Sequence, residues 1–239
     1  MKLTFLGTRG YIKARAPCHY MHSSLMVSYR GKEIMIDCGE DWLEKIQTMT
    51  PRAIFITHGH PDHAWGLKNG APCPVFATEE SWENMKTFAI KEREGIRPRE
   101  PIRVHGVTFE AFSVVHSTRA PAVGYRISAG GKTIFYAPDL VYINERAEAL
   151  AGAAVYIGDG ATIVRSMVRK PGTELIGHTP VRTQLTWCSK EGVPRAIITH
   201  CGSEIVEGDE QELQQKIDAL ASERGVQAVI ACDGMELLI

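Results

Sequence analysis

Three histidines and an aspartate fall within six residues, His58-Gly59-His60-Pro61-Asp62-His63, directly after the apolar run Ala53 to Ile56. A short loop at a strand's end folds back so that its side chains converge, and neutral imidazole with carboxylate suits Zn²⁺ or a similar first-row ion. A lone histidine is ordinarily a core or surface residue, but three at this spacing with an aspartate are hard to explain by packing. So many ligands cannot all bind one tetrahedral ion and leave room for a substrate, so further ligands elsewhere would imply two metals. His116 follows the alternating run Phe109 to Val115, Asp139 closes Tyr136-Ala137-Pro138-Asp139, and His200 ends a second apolar run. Each stands where a strand gives way to a loop.

The second apolar run echoes the first. Pro51-Arg52-Ala53-Ile54-Phe55-Ile56-Thr57-His58 and Pro194-Arg195-Ala196-Ile197-Ile198-Thr199-His200 both end in Thr-His. Each would deliver a histidine to a strand's carboxyl edge, where α/β folds usually place their sites. A two-halved sandwich with one shared site fits this echo, with chance similarity of two buried strands as the alternative.

The 239 residues hold a core of one large or two small domains, and the lack of a low-complexity linker favours a single domain over 1–239. With 44% hydrophobic and 23% charged residues the chain is of ordinary globular composition, not disordered, collagenous or coiled-coil. Its net charge of -1 gives no global cationic field for nucleic acid or membrane. No run approaches the ~20 apolar residues of a membrane span, and the first residues are too short an apolar run for a signal segment, so a cytoplasmic location is expected. The six cysteines, Cys18, Cys38, Cys73, Cys188, Cys201 and Cys232, form no Cys-x-x-Cys pair. They are expected to be reduced and mostly buried as small apolar residues.

Strand-like runs appear at Lys2 to Leu6, Ser24 to Tyr29, Glu33 to Ile36, Ala53 to Ile56, Val107 to Val115, Val123 to Ser128 and Thr133 to Tyr136. Hairpin turns are expected at Tyr29-Arg30-Gly31-Lys32 and Ala129-Gly130-Gly131-Lys132. Helical spacing covers Glu79 to Ile90, Val181 to Lys190 and Asp209 to Arg224, where Leu213, Ile217 and Leu220 share one face. These helices are expected to cover sheets.

With its H-x-H-x-D-H motif, the chain resembles the metallo-β-lactamase superfamily over essentially its whole length. The resemblance implies a four-layer αββα sandwich of a hydrolase. It implies that His58, His60 and His116 hold one metal, that Asp62, His63 and His200 hold the second, and that Asp139 bridges them. Zn²⁺ is expected, with Mn²⁺ or Fe²⁺ as alternatives. Asp37, in Ile36-Asp37-Cys38-Gly39, matches the family's early Asp-Gly motif with Cys38 interposed. There it would orient the histidines by hydrogen bonding, or it is a strand-end turn residue.

Asp139 stands where many lactamases carry cysteine, and His60 where the di-iron redox relatives carry glutamate, which argues against both activities. Gly177-His178-Thr179-Pro180 precedes a helix-like stretch; Thr179 or His178 would cap that helix. Alternatively, as in the phosphodiesterase branch, which includes the tRNA 3′-processing endonuclease and the phosphonate-pathway cyclic-phosphate phosphodiesterase, His178 faces the metals, contacts phosphate and protonates the leaving alkoxide. The expected reaction is then phosphodiester hydrolysis by a metal-bridging hydroxide that Asp62 orients, with His178 as acid.

The last strand, Cys232 to Leu237, resembles the ending of the phosphonate-pathway enzyme. That enzyme's extra cysteine-rich zinc site has only Cys18 to match it here. The short stretch from His116 to Asp139 leaves no room for the endonuclease's tRNA-gripping arm, so tRNA is not an expected partner. An anionic small-molecule or nucleotide-like phosphodiester is. No membrane partner is expected, and relatives of this fold often form homodimers.

Lys2, Arg9, Lys13, Arg15, His19, His22, Arg30 and Lys32 precede the first acidic residue, Glu33, and with Arg119 are either an anion-receiving group or solvated surface. His105 fits no pattern. Two other functions compete: an acyl, thioester or lactone hydrolase on the same fold, and a non-catalytic metal-stabilised binding module. An intact ligand set with an available acid argues against the last, because structural zinc sites are normally closed by four ligands.

Overall fold

A computed structural model describes residues 1–239. Apolar alternation sends Leu3, Phe5, Leu25 and Val27 to one side of their strands and Met26 to the other. The first sheet has seven strands in the order Glu236–Leu238, Lys2–Gly7, Ser24–Tyr29, Lys32–Ile36, Ala53–Phe55, Val75–Ala77, Arg93–Gly95. Its first four strands pair antiparallel and its last four parallel. The second sheet repeats this plan with Tyr142–Ile143, Val107–Val115, Ala122–Ala129, Lys132–Tyr136, Val155–Asp159, Arg195–Thr199 and Gln227–Ile230, plus Ile102–Val104 beside Val107–Val115.

Three apolar layers hold four structural layers together. The middle one lies between the sheets, where Phe55 of the first stacks on Phe109 of the second with ring centroids 4.0 Å apart. Burying one such ring contributes roughly 1.5–3 kcal/mol. A second layer joins the second sheet to Val181–Lys190 and Glu210–Ser222, and a third packs Trp42, Leu67 and Met85 against the first sheet. The expected αββα sandwich is the observed fold.

The two expected hairpin turns are present, with positive φ at Arg30 (50°), Gly31 (72°), Gly130 (60°) and Gly131 (75°), as a two-residue primed turn requires. The helix expected over Glu79 to Ile90 spans only Glu79–Asn84, because the chain then bends and Ala89 donates its N–H to Lys68 O instead. The helix expected from Asp209 begins at Glu210, with the Asp209 side chain capping Gln211 and Glu212. The strand expected over Cys232 to Leu237 instead runs over Glu236–Leu238, since Asp233 turns aside to accept from Tyr20 N, Met21 N and Thr8 Oγ1.

That bend also corrects the cysteine reading. Cys18 and Cys232, 214 residues apart, are joined in a disulfide, while Cys38, Cys73, Cys188 and Cys201 are free and buried as expected. No helix is long and apolar enough to cross a membrane.

Candidate metal centre

The parallel halves of the two sheets end at one place. Asp37 and Asp139 follow the fourth strand of their respective sheets, and the His58 loop follows the fifth strand of the first. The two Thr-His strands are not equivalent, since Arg195–Thr199 is the sixth strand of its sheet. The true counterpart of Ala53–Phe55 is Val155–Asp159, which ends in a buried carboxylate.

Pro61 opens the short helix Pro61–Ala64 with its ring at the first helical position, where a missing N–H costs nothing. This turn sets Asp62 and His63 beneath His60. His63 donates from Nδ1 to Asp37 Oδ2 (2.9 Å), which orients the ring and leaves Nε2 to face the cluster. His58 is oriented in the same way by Thr57 Oγ1, 3.1 Å from its Nδ1. Thr57 in turn donates its N–H (2.8 Å) and its hydroxyl to Asp37. Asp37 thus has the orienting position, fully buried and held at φ 60°, and His200 is likewise left-handed at φ 53°. Such strain persists only where surrounding contacts over-determine it.

All seven expected ligands converge. Ligand atoms of His58, His60, His116 and Asp139 form one group within 4.8 Å of one another, and those of Asp62, His63 and His200 form a second. Asp139 Oδ2 lies between them, 3.7 Å from His58 Nε2, 3.8 Å from His63 Nε2 and 3.6 Å from His200 Nε2. The unsatisfied atoms fit a divalent ion. His63 Nε2, His116 Nδ1 and Asp139 Oδ1 are buried without a hydrogen-bond partner, although the last two are 2.8 Å apart, because they are not aligned for one. His60 Nδ1 sits 3.0 Å from His58 Nε2 and 3.1 Å from His116 Nε2, so imidazole nitrogens crowd together as ligands of one ion would.

Burial and the neighbouring His63 and His116 hold His58 well below the usual imidazole range, and burial brings His60 down to about 4, so both are neutral donors. Burial alone would raise Asp62 and Asp139, but the adjoining imidazoles hold both well below the usual carboxylate range.

His178 stands at the lip. Its Nδ1 is 2.9 Å from Asp159 Oδ2 and 3.0 Å from Asp139 Oδ1. Burial would lower it, but Asp159 and Asp139 push it up to about 11. The capping alternative fails, because the helix Val181–Lys190 has Pro180 at its cap with no side-chain capping bond. Asp159 was not anticipated. It is fully buried, accepts N–H bonds from Leu140 and Ala161, and lies 3.5 Å from His200 Nδ1 as well. The segment Gly158-Asp159-Gly160 after an apolar run was its signal.

A cleft of ≈ 620 Å³ opens over this floor. The basic N-terminal residues do not line it. Arg9 and Arg15 pair with Asp41, Lys2 pairs with Glu236, and His19 meets Thr8 Oγ1 at 2.8 Å; the cleft is lined instead by Gly10, Tyr11 and Ile12. Arg119 lies outside it, with its carbonyl accepting from Asn84, and His105 is an exposed turn residue at φ 48°.

A curated ribonuclease Z from Crocosphaera subtropica is 26% identical over 225 residues, covering 79% of this chain and 67% of that protein. The Bacillus subtilis metallo-β-lactamase fold protein YhfI superposes with a TM-score of 0.76 at 18% identity, covering 99% of this chain and 98% of the other. A diphosphatase from the PhnP family gives 0.75 at 22% identity, covering 100% and 97%. The expected exclusion of tRNA gains no support from a relative named ribonuclease Z. The model of the β-lactamase superfamily domain matches residues 32–201, and the chain belongs to the metallo-β-lactamase superfamily of metal-dependent hydrolases.

Proposed function

We propose that this chain is a phosphodiesterase with a dinuclear metal site. The observation that carries the reading is His178, an imidazole whose Nδ1 is held between Asp159 and Asp139 at the lip of a seven-residue cluster of candidate ligands. His58, His60 and His116 would hold one ion and Asp62, His63 and His200 the other, with Asp139 shared between them. Zn²⁺ suits these donors best. Divalent ions there would acidify water and draw negative charge off phosphate oxygens.

The chain's own residues supply the rest. Asp62, with Oδ2 3.1 Å from His200 Nε2, has a second oxygen available to accept a proton from the attacking water and so aim it at phosphorus. His178 holds its Nδ1 proton on Asp159 and presents Nε2–H to the leaving alkoxide, a transfer worth typically ~10²–10⁴-fold. Asp159 keeps that ring oriented and charged. The anionic substrate this favours is a small or nucleotide-like phosphodiester, in line with the names of the relatives.

The test is hydrolysis by metal-loaded protein of an aryl and an alkyl phosphodiester beside a thioester and a lactone. Phosphodiester cleavage is expected, with His178→Ala slowing the alkyl ester far more than the aryl ester. Turnover confined to thioester or lactone would overturn the reading.

A further inference from the structure

The segment 164–177 leaves the Asp159 loop and returns into His178, so it is hung on the two residues that carry the acid. It is a narrow antiparallel arm: Arg169 and Ile176 exchange both backbone bonds (2.8 and 2.9 Å), Met167 N–H reaches His178 O (3.3 Å), and Gly177 N–H reaches His116 O (3.1 Å). Arg165, Met167 and Arg169 all line the cleft. Both arginines are exposed, and neither has an acidic partner. The nearest acid in the cleft wall that is not part of the histidine cluster is Glu204, already taken by Lys216 (2.7 Å) and Ile163 N–H (3.1 Å). Two guanidinium groups without an acidic partner therefore line the cleft that holds the histidine cluster, and Tyr11, 61% exposed, and Ile12 line it too.

Resting on the phosphodiesterase reading, we propose that the arm selects a phosphodiester bearing a second phosphate, which Arg165 and Arg169 bind while Tyr11 and Met167 flank the organic part between the two phosphates. Arginine forks match phosphate oxygens in pairs, and a dianion answers two guanidinium charges better than a monoanion does. A terminal phosphate monoester is thus favoured over the next diester along a nucleic-acid strand.

Three chromogenic substrates break the same bond and differ only in the far group: thymidine 5′-(4-nitrophenyl phosphate), that ester with a 3′-phosphate, and that ester with its 3′-phosphate joined to a second thymidine. The 3′-phosphate is expected to lower KM by about tenfold with kcat little changed, and Arg165→Gln with Arg169→Gln to cut this preference to about twofold or less. No preference, or one the double variant retains, overturns the proposal; an equal gain for the dinucleotide overturns the terminal-phosphate assignment. Calorimetric binding of thymidine 3′,5′-bisphosphate separates the two readings, with an expected loss of about tenfold in the double variant. That loss without turnover of any ester would defeat the phosphodiesterase reading and leave the phosphate subsite standing, whereas equal binding by both proteins would defeat the subsite.

Discussion

Asp159 Oδ2 lies 2.9 Å from His178 Nδ1, and the same carboxylate's other oxygen is 3.5 Å from Nδ1 of His200. One buried group thus ties the proposed acid to a proposed metal ligand, so a change at Asp159 should be felt in proton transfer before it is felt in binding. In Asp159→Asn the amide no longer holds the imidazolium by charge. The variant is expected to lose about 10–10³-fold in kcat on an alkyl phosphodiester and only a few-fold on a nitrophenyl one, with KM little moved. Equal losses on both esters would remove the positioning role.

Asp37 gathers Thr57 and His63 through three donors, which together set the direction of two histidines. Replacing such an orienting carboxylate typically weakens metal binding by about 10–100-fold. Asp37→Ala is expected to show this in a competitive chelator titration, and unchanged affinity would make Asp37 a turn residue only.

Gly39 is required for close approach. A Cβ there would lie 2.1 Å from the carbonyl oxygen of Asp62, whose backbone cannot yield without moving this proposed ligand. Gly39→Ala is expected to destabilise the fold by roughly 2 kcal/mol or more and to lower metal affinity together with it, measured by urea unfolding and chelation. A stable variant with full affinity would contradict this packing.

His22 is buried beside Arg9 and Asp41, with Asp62 and His63 farther off, and burial followed by the Arg9 charge brings it down to about 4. The unfolded chain takes up this proton near the ordinary value of 6.5. The contribution to stability is therefore complete above that pH and is lost as pH falls toward 4, by up to roughly 3 kcal/mol. His22→Gln should flatten the loss of stability between pH 6.5 and 4 in denaturant titrations. Parallel curves for the two proteins would refute it.

The candidate metal ligands were legible because their chemistry needs particular residue types at strand ends, and His58 to His63 packs four of them into one loop. The early antiparallel strands were legible by alternation, as in Leu3 and Phe5. Among the parallel strands Ala53–Phe55 and Arg195–Thr199 were legible as apolar runs, but Val75–Ala77, Arg93–Gly95, Val155–Asp159 and Gln227–Ile230 were not. Val155–Asp159 is buried at every position and so has no period, and the exposed edge Arg93–Gly95 has no apolar residue at all. Asp159 went unread because its importance lies in a partner 19 residues away, and Arg165 and Arg169 because an exposed arginine gains meaning only once the arm is folded beside the site. The Cys18–Cys232 bond was hidden by a separation of 214 residues that only the docking of the chain's two ends closes.

The most direct test counts metal per chain by native mass spectrometry while following hydrolysis of an aryl phosphodiester, in the wild type and in Asp139→Ala, before and after chelation. The account predicts about two ions per chain, cleavage that chelation abolishes and reloading restores, and loss of both ions' cooperative binding with activity in the variant. Full cleavage with a single ion, or full cleavage by the chelated protein, would contradict it.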